Sequence, residues 1–269
     1  MTIVYIICTA ILVVLAYRFN VLLGLGITAL FLAYGIYSFI PNYYTIKGNK
    51  AYQEGDFEES KKWFKKSYDT KRAKVNTRVS YAYILMRTGD FETAEQILNS
   101  IIRAKGVKPE QKNNAKQQRC MVYFKQGKLE EALEEAYEIF DNGNYKNTML
   151  YGMLGYFKYL HDAPEDALKF CLEAYEYNSD DRDITDNLSL CYYKLGDYEK
   201  AREYSDKIIA ENPQFVEAYY HGAQIAVKCG DYATAKEYLD KIPSCRWSQM
   251  TTVTQEEVDS LAREVKSRL

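Results

Sequence analysis

Proline, glycine and histidine are scarce in this 269-residue sequence, and charge is almost missing from its start. Five prolines and 14 glycines are too few for a loop-rich or all-β fold and favour helices. The two histidines, His161 and His221, lie far apart, and none of the six cysteines (Cys8, Cys120, Cys171, Cys191, Cys229 and Cys245) forms a C-x-x-C pair. Zinc needs clustered ligands at short spacing, so no metal site is expected. The cysteines read as small packing residues of a reducing compartment. No Gly-rich phosphate loop, no H-E-x-x-H and no G-x-S-x-G is present, so neither a cofactor nor a catalytic residue is expected. The formal net charge is −2, with no basic domain or stripe, which argues against a nucleic-acid partner. Asp180-Asp181-Arg182-Asp183 reads as a loop and helix cap, not a metal site.

Before Lys47 the only charged residue is Arg18. Thr2 to Tyr17 and Val21 to Ile40 are two uncharged, mostly apolar segments separated by Tyr17-Arg18-Phe19-Asn20. The second is long enough to cross a bilayer, and the first is marginal. A single helix over both would be about 60 Å long, far more than a crossing needs. Residues 1–41 are therefore expected to form a two-helix transmembrane hairpin in the lipid bilayer, with Pro41 ending the second span. Tyr34, Tyr37, Tyr43 and Tyr44 suit the interface. Gly26, Ala29 and Ala33 offer small residues on which the first span can pack, although such residues are also ordinary in a span. Two alternatives stand. One is a cleaved signal peptide, against which the missing basic start and the continuing apolar character both argue. The other is that only the second segment spans. Lys47, Lys50, Lys61, Lys62, Lys65 and Lys66 outnumber Arg18, which places the C-terminal side in the cytoplasm at the cell membrane.

The remainder repeats. Gly55-Asp56-Phe57, Gly89-Asp90-Phe91, Gly127-Lys128-Leu129, Gly196-Asp197-Tyr198 and Gly230-Asp231-Tyr232 recur, and His161-Asp162-Ala163-Pro164 supplies a degenerate sixth copy with Asp162 in the glycine's place. The period is near 34 residues, and the second copy carries about four extra residues around Gly106-Val107-Lys108-Pro109. Each glycine ends one helix in a left-handed conformation, and the Asp after it caps the next. Five residues past the glycine stands a small residue: Ser60, Ala94, Ala132, Ala167, Ala201 and Ala235. Pro213 is expected to stop the second helix of the fifth copy. Thr254-Gln255-Glu256-Glu257 reads as a capping box, opening a final helix with Val258, Leu261, Val265 and Leu269 on one face.

These residues, with Tyr151, Leu154 and Gly155 in the fourth copy, Leu188, Tyr192 and Pro213 in the fifth, and Tyr219 and Ala223 in the sixth, resemble the tetratricopeptide-repeat (TPR) family. The resemblance implies an all-α protein: the hairpin (1–41), a TPR α-solenoid of about six helix-turn-helix repeats (42–247), and a capping helix (248–269). It further implies that the first helix of each repeat lines a concave groove. Positions ten, six and three residues before each turn supply a candidate partner-binding groove: Tyr83, Met86, Met121, Phe124, Tyr156, Tyr159, Leu190, Tyr193, Tyr220 and Gln224. An aromatic and apolar groove suits an amphipathic helix or an extended peptide. The competing reading is that these rings pack between helices or are covered by the chain's own C-terminus. The Lys and Asn clamp by which some family members hold chaperone tails is missing, because Val79, Tyr83, Gln117, Gln118, Met149 and Met153 stand in its place. No EEVD-tail partner is therefore expected. Glu256-Glu257-Val258-Asp259 spells such a tail, but it is followed by ten residues and reads as one turn of the capping helix. The expected function is a membrane-anchored, non-catalytic scaffold or adaptor for a protein or peptide partner. A peptide-responsive receptor, or a non-catalytic subunit of a membrane or envelope assembly enzyme, are the alternatives.

Overall fold

The computed structural model describes residues 2–141 and 145–269. Among them there is no strand, and fourteen α-helices follow one another in antiparallel pairs. They are α1 (Thr2–Phe19), α2 (Val21–Gln53), α3 (Phe57–Asp69), α4 (Val75–Arg87), α5 (Phe91–Arg103), α6 (Pro109–Lys125) and α7 (Leu129–Asp141). Then come α8 (Thr148–His161), α9 (Pro164–Tyr177), α10 (Arg182–Leu195), α11 (Tyr198–Ala210), α12 (Val216–Lys228), α13 (Tyr232–Lys241) and α14 (Gln255–Lys266). The chain divides into two compact units, Met1–Arg78 and Val79–Leu269.

Among the described residues, α2 is the one helix long and apolar enough to cross a membrane. Asn20 caps it by accepting from the Leu22 and Leu23 N–H groups. The break after α1 is thus built from the polar turn that the sequence marks. Close approach to α1 occurs at Gly24, where a Cβ would stand 2.5 Å from the Tyr17 ring. It does not occur at Gly26, which faces open space. The expectation that Pro41 ends the helix is corrected: α2 continues through Pro41 to Gln53. Proline has no N–H, so the Tyr37 carbonyl four residues earlier loses its helical donor. Arg72 replaces it, donating Nη1–H to the Tyr37 carbonyl. The continuing turns of α2 pair with α3. Ser60 donates to the Gly48 carbonyl (2.9 Å) and Ser67 to the Pro41 carbonyl (2.8 Å), while the Phe64 ring fills the space that a side chain at Gly48 would need.

The repeats are built as their residues dictate. Gly55, Gly89, Gly127, Gly196 and Gly230 all adopt φ between +76° and +87°, a region that L side chains rarely enter. Asp56, Asp90, Asp197 and Asp231 each accept the N–H three residues on, at 2.9–3.1 Å. Ser60, Ala94, Ala132, Ala167, Ala201 and Ala235 are fully buried, so each hairpin closes on a side chain small enough to let its helices meet. Asp162 does not copy the glycine. Its backbone is extended, and the turn is made by Ala163 leading into Pro164 at the first position of α9. The extra residues of the second copy form a left-handed turn at Gly106 and an added turn at the start of α6. At Pro213 the helix has already ended: α11 stops at Ala210, and left-handed Asn212 turns the chain.

At the C-terminus the predicted capping box is present. Thr254 accepts from the Glu257 N–H, and the Glu257 carboxylate accepts from the Thr254 N–H at 2.7 Å. Val258, Leu261 and Val265 of α14 join Val216, Tyr219, Tyr220 and Leu239 in one buried cluster. This covers the apolar face of the last repeat, which a solenoid end must do. Leu269 lies past the helix and is exposed, which corrects its place in the expected stripe. The Glu256–Asp259 tetrapeptide lies within α14, with Val258 buried.

Candidate functional site

Within the second unit, one cleft of about 490 Å³ is lined by α4, α6, α8, α10 and α12. These are the first helices of five successive hairpins, and no second helix contributes. The hairpin geometry explains this. The small buried residue five past each turn draws the second helix behind the first, leaving the first helices side by side on the open face. Gly152 and Gly155 tighten the row. A Cβ at Gly155 would stand 3.1 Å from Asn187 Nδ2, and Asn187 donates to the Gly152 carbonyl at 2.7 Å.

The cleft has an apolar floor of Tyr83, Met86, Met121, Met149, Met153, Tyr156 and Phe157. Met250 lines it from the C-terminal segment, so every methionine after Met1 borders this one cleft. Methionine is unbranched and polarizable, and it adapts to partners of varied shape. The other wall is polar: Asp183, Asp186, Glu217 and His221, with Arg87, Arg182 and Arg246. Asp186 and His221 are buried and bonded at 2.9 Å. Burial works to lower the His221 pKa, but the Asp186 charge and hydrogen bond outweigh it, and the net shift is upward. Asp183 is exposed on the cleft wall, and the protein packed around its carboxyl, and then the neighbouring Asp181, Asp186 and Glu217 charges, push it up to about 6. Asp181 caps α10 by accepting from the Ile184 N–H, so the acidic run is a cap beside the cleft, as its sequence implies. No group of three or more metal-ligating side chains is found among the described residues.

The segment that leads into α14 crosses the cleft as an irregular strap with a turn at Gln249–Met250. The Arg246 N–H donates to the Gln214 carbonyl (2.9 Å), the Gln249 N–H to the Arg87 carbonyl (3.3 Å) and the Thr252 N–H to Glu217 Oε1 (2.8 Å). Lys125 Nζ donates to the Thr251 carbonyl at 3.0 Å, and the Thr252 and Tyr156 side chains are hydrogen-bonded. Burial lowers the Lys125 pKa, and the Glu217 charge opposes that shift.

Of the ten groove residues read from the repeat spacing, Tyr83, Met86, Met121 and Tyr156 line this cleft. Phe124 and Tyr159 flank it, each with its ring against Tyr156, at 5.7 Å edge-on and 6.2 Å stacked. Burial pushes the Tyr159 hydroxyl up to about 12. Leu190 is buried, and Tyr193 packs on Tyr198. Tyr220 is buried in the cluster that α14 covers, and Gln224 donates to its hydroxyl at 3.0 Å. These last four therefore lie outside the open cleft. Met149, Met153, Arg87, Asp183, Glu217 and the strap were not among the ten. Met149 and Met153 stand at clamp positions, and their shared residue type is the signal that marks them as floor.

Comparison with known proteins agrees with this geometry. Residues 196–246 match the family described as Tetratricopeptide repeat. No curated protein matches the sequence. Among solved structures, Pseudomonas aeruginosa PilF is 16% identical with a TM-score of 0.57, over 84% of this chain and 97% of that one. A tetratricopeptide repeat protein from Parabacteroides merdae is 16% identical with a TM-score of 0.55, over 85% and 88%. A chain of the APC/C hetero-tetramer Cut9–Hcn1 is 13% identical with a TM-score of 0.65, over 82% of this chain and 42% of that one. Likeness at such identities is a likeness of fold. The chain carries the TPR solenoid fold.

Proposed function

We propose that this TPR chain is a membrane-anchored scaffold that holds a peptide segment of a protein partner in its concave cleft. The observation that carries the reading is the methionine floor built by three successive first helices, α4, α6 and α8, in a cleft that five of them line. An apolar patch open to water usually marks a binding site. The segment offers a large apolar side chain to Met121, Met149 and Met153, and a cation to the wall at Asp183. Its backbone binds as the strap does, through groups like Lys125 and Glu217. Residues 1–41 hold the scaffold in the bilayer as a hairpin, residues 42–247 form the repeats, and residues 248–269 cap them. The repeats face the cytoplasm. Anchoring raises the effective concentration of the cleft near other membrane proteins, and the protein binds its partner without transforming it.

Two charge substitutions test the cleft. Met149→Glu and Met121→Glu in the full-length chain are expected to abolish recovery of the partner from membranes, while helical circular dichroism stays unchanged. Undiminished recovery with both would overturn the reading. A reporter fused after Leu269 tests orientation: activity confined to the outside of the cell would reverse it. The receptor alternative has one observation in its favour, the strap, which an incoming peptide would displace. It predicts that strap residues become protease-sensitive when a partner peptide is added.

A further inference from the structure

The turn between α3 and α4 returns to the level of the apolar segment. After Gln53 the chain reverses, and α3 runs back along α2. Ser60 meets Gly48, Ser67 meets Pro41, and Arg72 then meets Tyr37. Tyr37 lies three residues inside the apolar run that ends at Ile40, about 5 Å along a helix. The Arg72 guanidinium lies 3.4 Å from the centre of the Tyr37 ring. Residues 70–74 therefore stand level with the last turn of the span, at the depth of lipid headgroups when that span is in a bilayer.

The side chains there are cationic and aromatic. The turn reads Lys71-Arg72-Ala73-Lys74, and Lys66 precedes it on α3. Lys65 and Lys62 are neutralised by Asp69 and Glu59. Among the described residues, Lys66, Lys71, Arg72 and Lys74 form no ion pair with a carboxylate. Instead Lys66 sits 4.2 Å over the Trp63 ring and Lys71 5.3 Å over Tyr68. Trp63 packs between Tyr43 and Tyr44, at 6.3 and 5.8 Å. Such rings prefer the interface, where one end meets hydrocarbon and the other meets water. Arg72 Nε is buried and Nη1 is bonded to the Tyr37 carbonyl, so the arm of the fork left for a headgroup is Nη2. A guanidinium fixed at headgroup depth with a donor to spare matches a phosphodiester oxygen.

We propose that Arg72, with Lys66, Lys71 and Lys74, forms a binding site for the phosphate of an anionic phospholipid, and that this site seats the first repeat on the bilayer surface. The proposal rests on the reading of α2 as a membrane span. Arg72 thus has two roles. It satisfies the carbonyl that Pro41 orphans, and it presents its remaining donors to a headgroup. Trp63 lies beside the site and reports on it.

The test uses the full-length chain in lipid vesicles. Trp63 and Trp247 are the only tryptophans, so Trp247→Phe leaves Trp63 as the sole reporter. Vesicles of phosphatidylcholine carry either phosphatidylglycerol or more phosphatidylcholine, spin-labelled at the headgroup. Trp63 emission is expected to be quenched severalfold more strongly by the labelled anionic lipid, with the difference removed by high salt. Arg72→Gln with Lys74→Gln should remove the preference while the chain still resists alkaline extraction. Equal quenching by both lipids in a chain that resists extraction would overturn the headgroup site and leave the span intact. A chain released by alkaline extraction would overturn the span, and the site with it. A preference that persists in the double variant would assign it to other cations and overturn the role of Arg72.

Discussion

Asp183 and His221 show how single residues couple the cleft to pH. The Asp183 carboxyl is held near 6, above its unfolded value of about 3.9, so the folded state binds the proton more tightly. Its penalty is present above about pH 6 and is relieved as the pH falls. The His221 pKa is raised by Asp186 against the effect of burial. The stability from that pair is complete below about 6.5 and is lost as the pH rises through the folded value. Both effects point the same way, so the protein is expected to melt at a higher temperature at pH 5 than at pH 8. Asp183→Asn should raise the melting temperature at pH 8 and raise it by less at pH 5, which lies midway through the window between the folded and unfolded values. Thermal unfolding at the two pH values checks both, and a wild-type protein that is more stable at pH 8 contradicts them. Packing gives a second test at this scale. A Cβ at Gly222 would meet Ile209 Cδ1 at 2.5 Å and Ser205 Oγ at 3.0 Å. Gly222→Val is therefore expected to cost about 1–3 kcal/mol by chemical denaturation. The turn glycines, capping aspartates and buried alanines were legible in the sequence because each recurs at one offset. Gly222 and Asn187 were not, because each serves a single contact that no period repeats.

Among the elements, α2 departs furthest from expectation. A proline inside a helix normally breaks it, and nothing in the sequence near Pro41 shows that Arg72, far along the chain, supplies the missing donor. The two residues should be energetically coupled. Arg72→Ala is expected to destabilise the chain in detergent micelles, and to do so by about 0.5–3 kcal/mol less when Pro41→Ala restores the N–H. Equal costs in both backgrounds would show that Arg72 does not serve that carbonyl. The strap was illegible for a different reason. Its residues have no apolar period, and it is held by backbone groups that any sequence possesses. The capping helix after it was legible through Thr254 and Glu257. Lys125→Ala with Glu217→Ala removes two of the strap's anchors, and proteolysis between residues 245 and 254 should accelerate while α14 stays protected. Unchanged cleavage would show that the strap is held by other contacts.

At the scale of the molecule, a repeat of near-constant length places five first helices on one face; methionines give three of them an apolar floor, and α10 and α12 supply the polar wall. The fold was readable because a solenoid writes its architecture once per repeat. The cleft was readable only in part. The offsets from each turn found Tyr83, Met86, Met121 and Tyr156, but the path of the strap and of α14 decides which positions stay open. At the far end α14 covers Tyr220, and Leu190 is already buried.

The most direct test of the scaffold reading is in-cell photo-crosslinking from two positions of the full-length chain. Met149 is exposed on the cleft floor, and Leu172 is exposed on α9, behind it. The account predicts a discrete protein adduct from Met149, weakened by Met121→Glu, and none from Leu172. Equal adducts from both positions, or adducts from Met149 only to the chain's own strap, would contradict it.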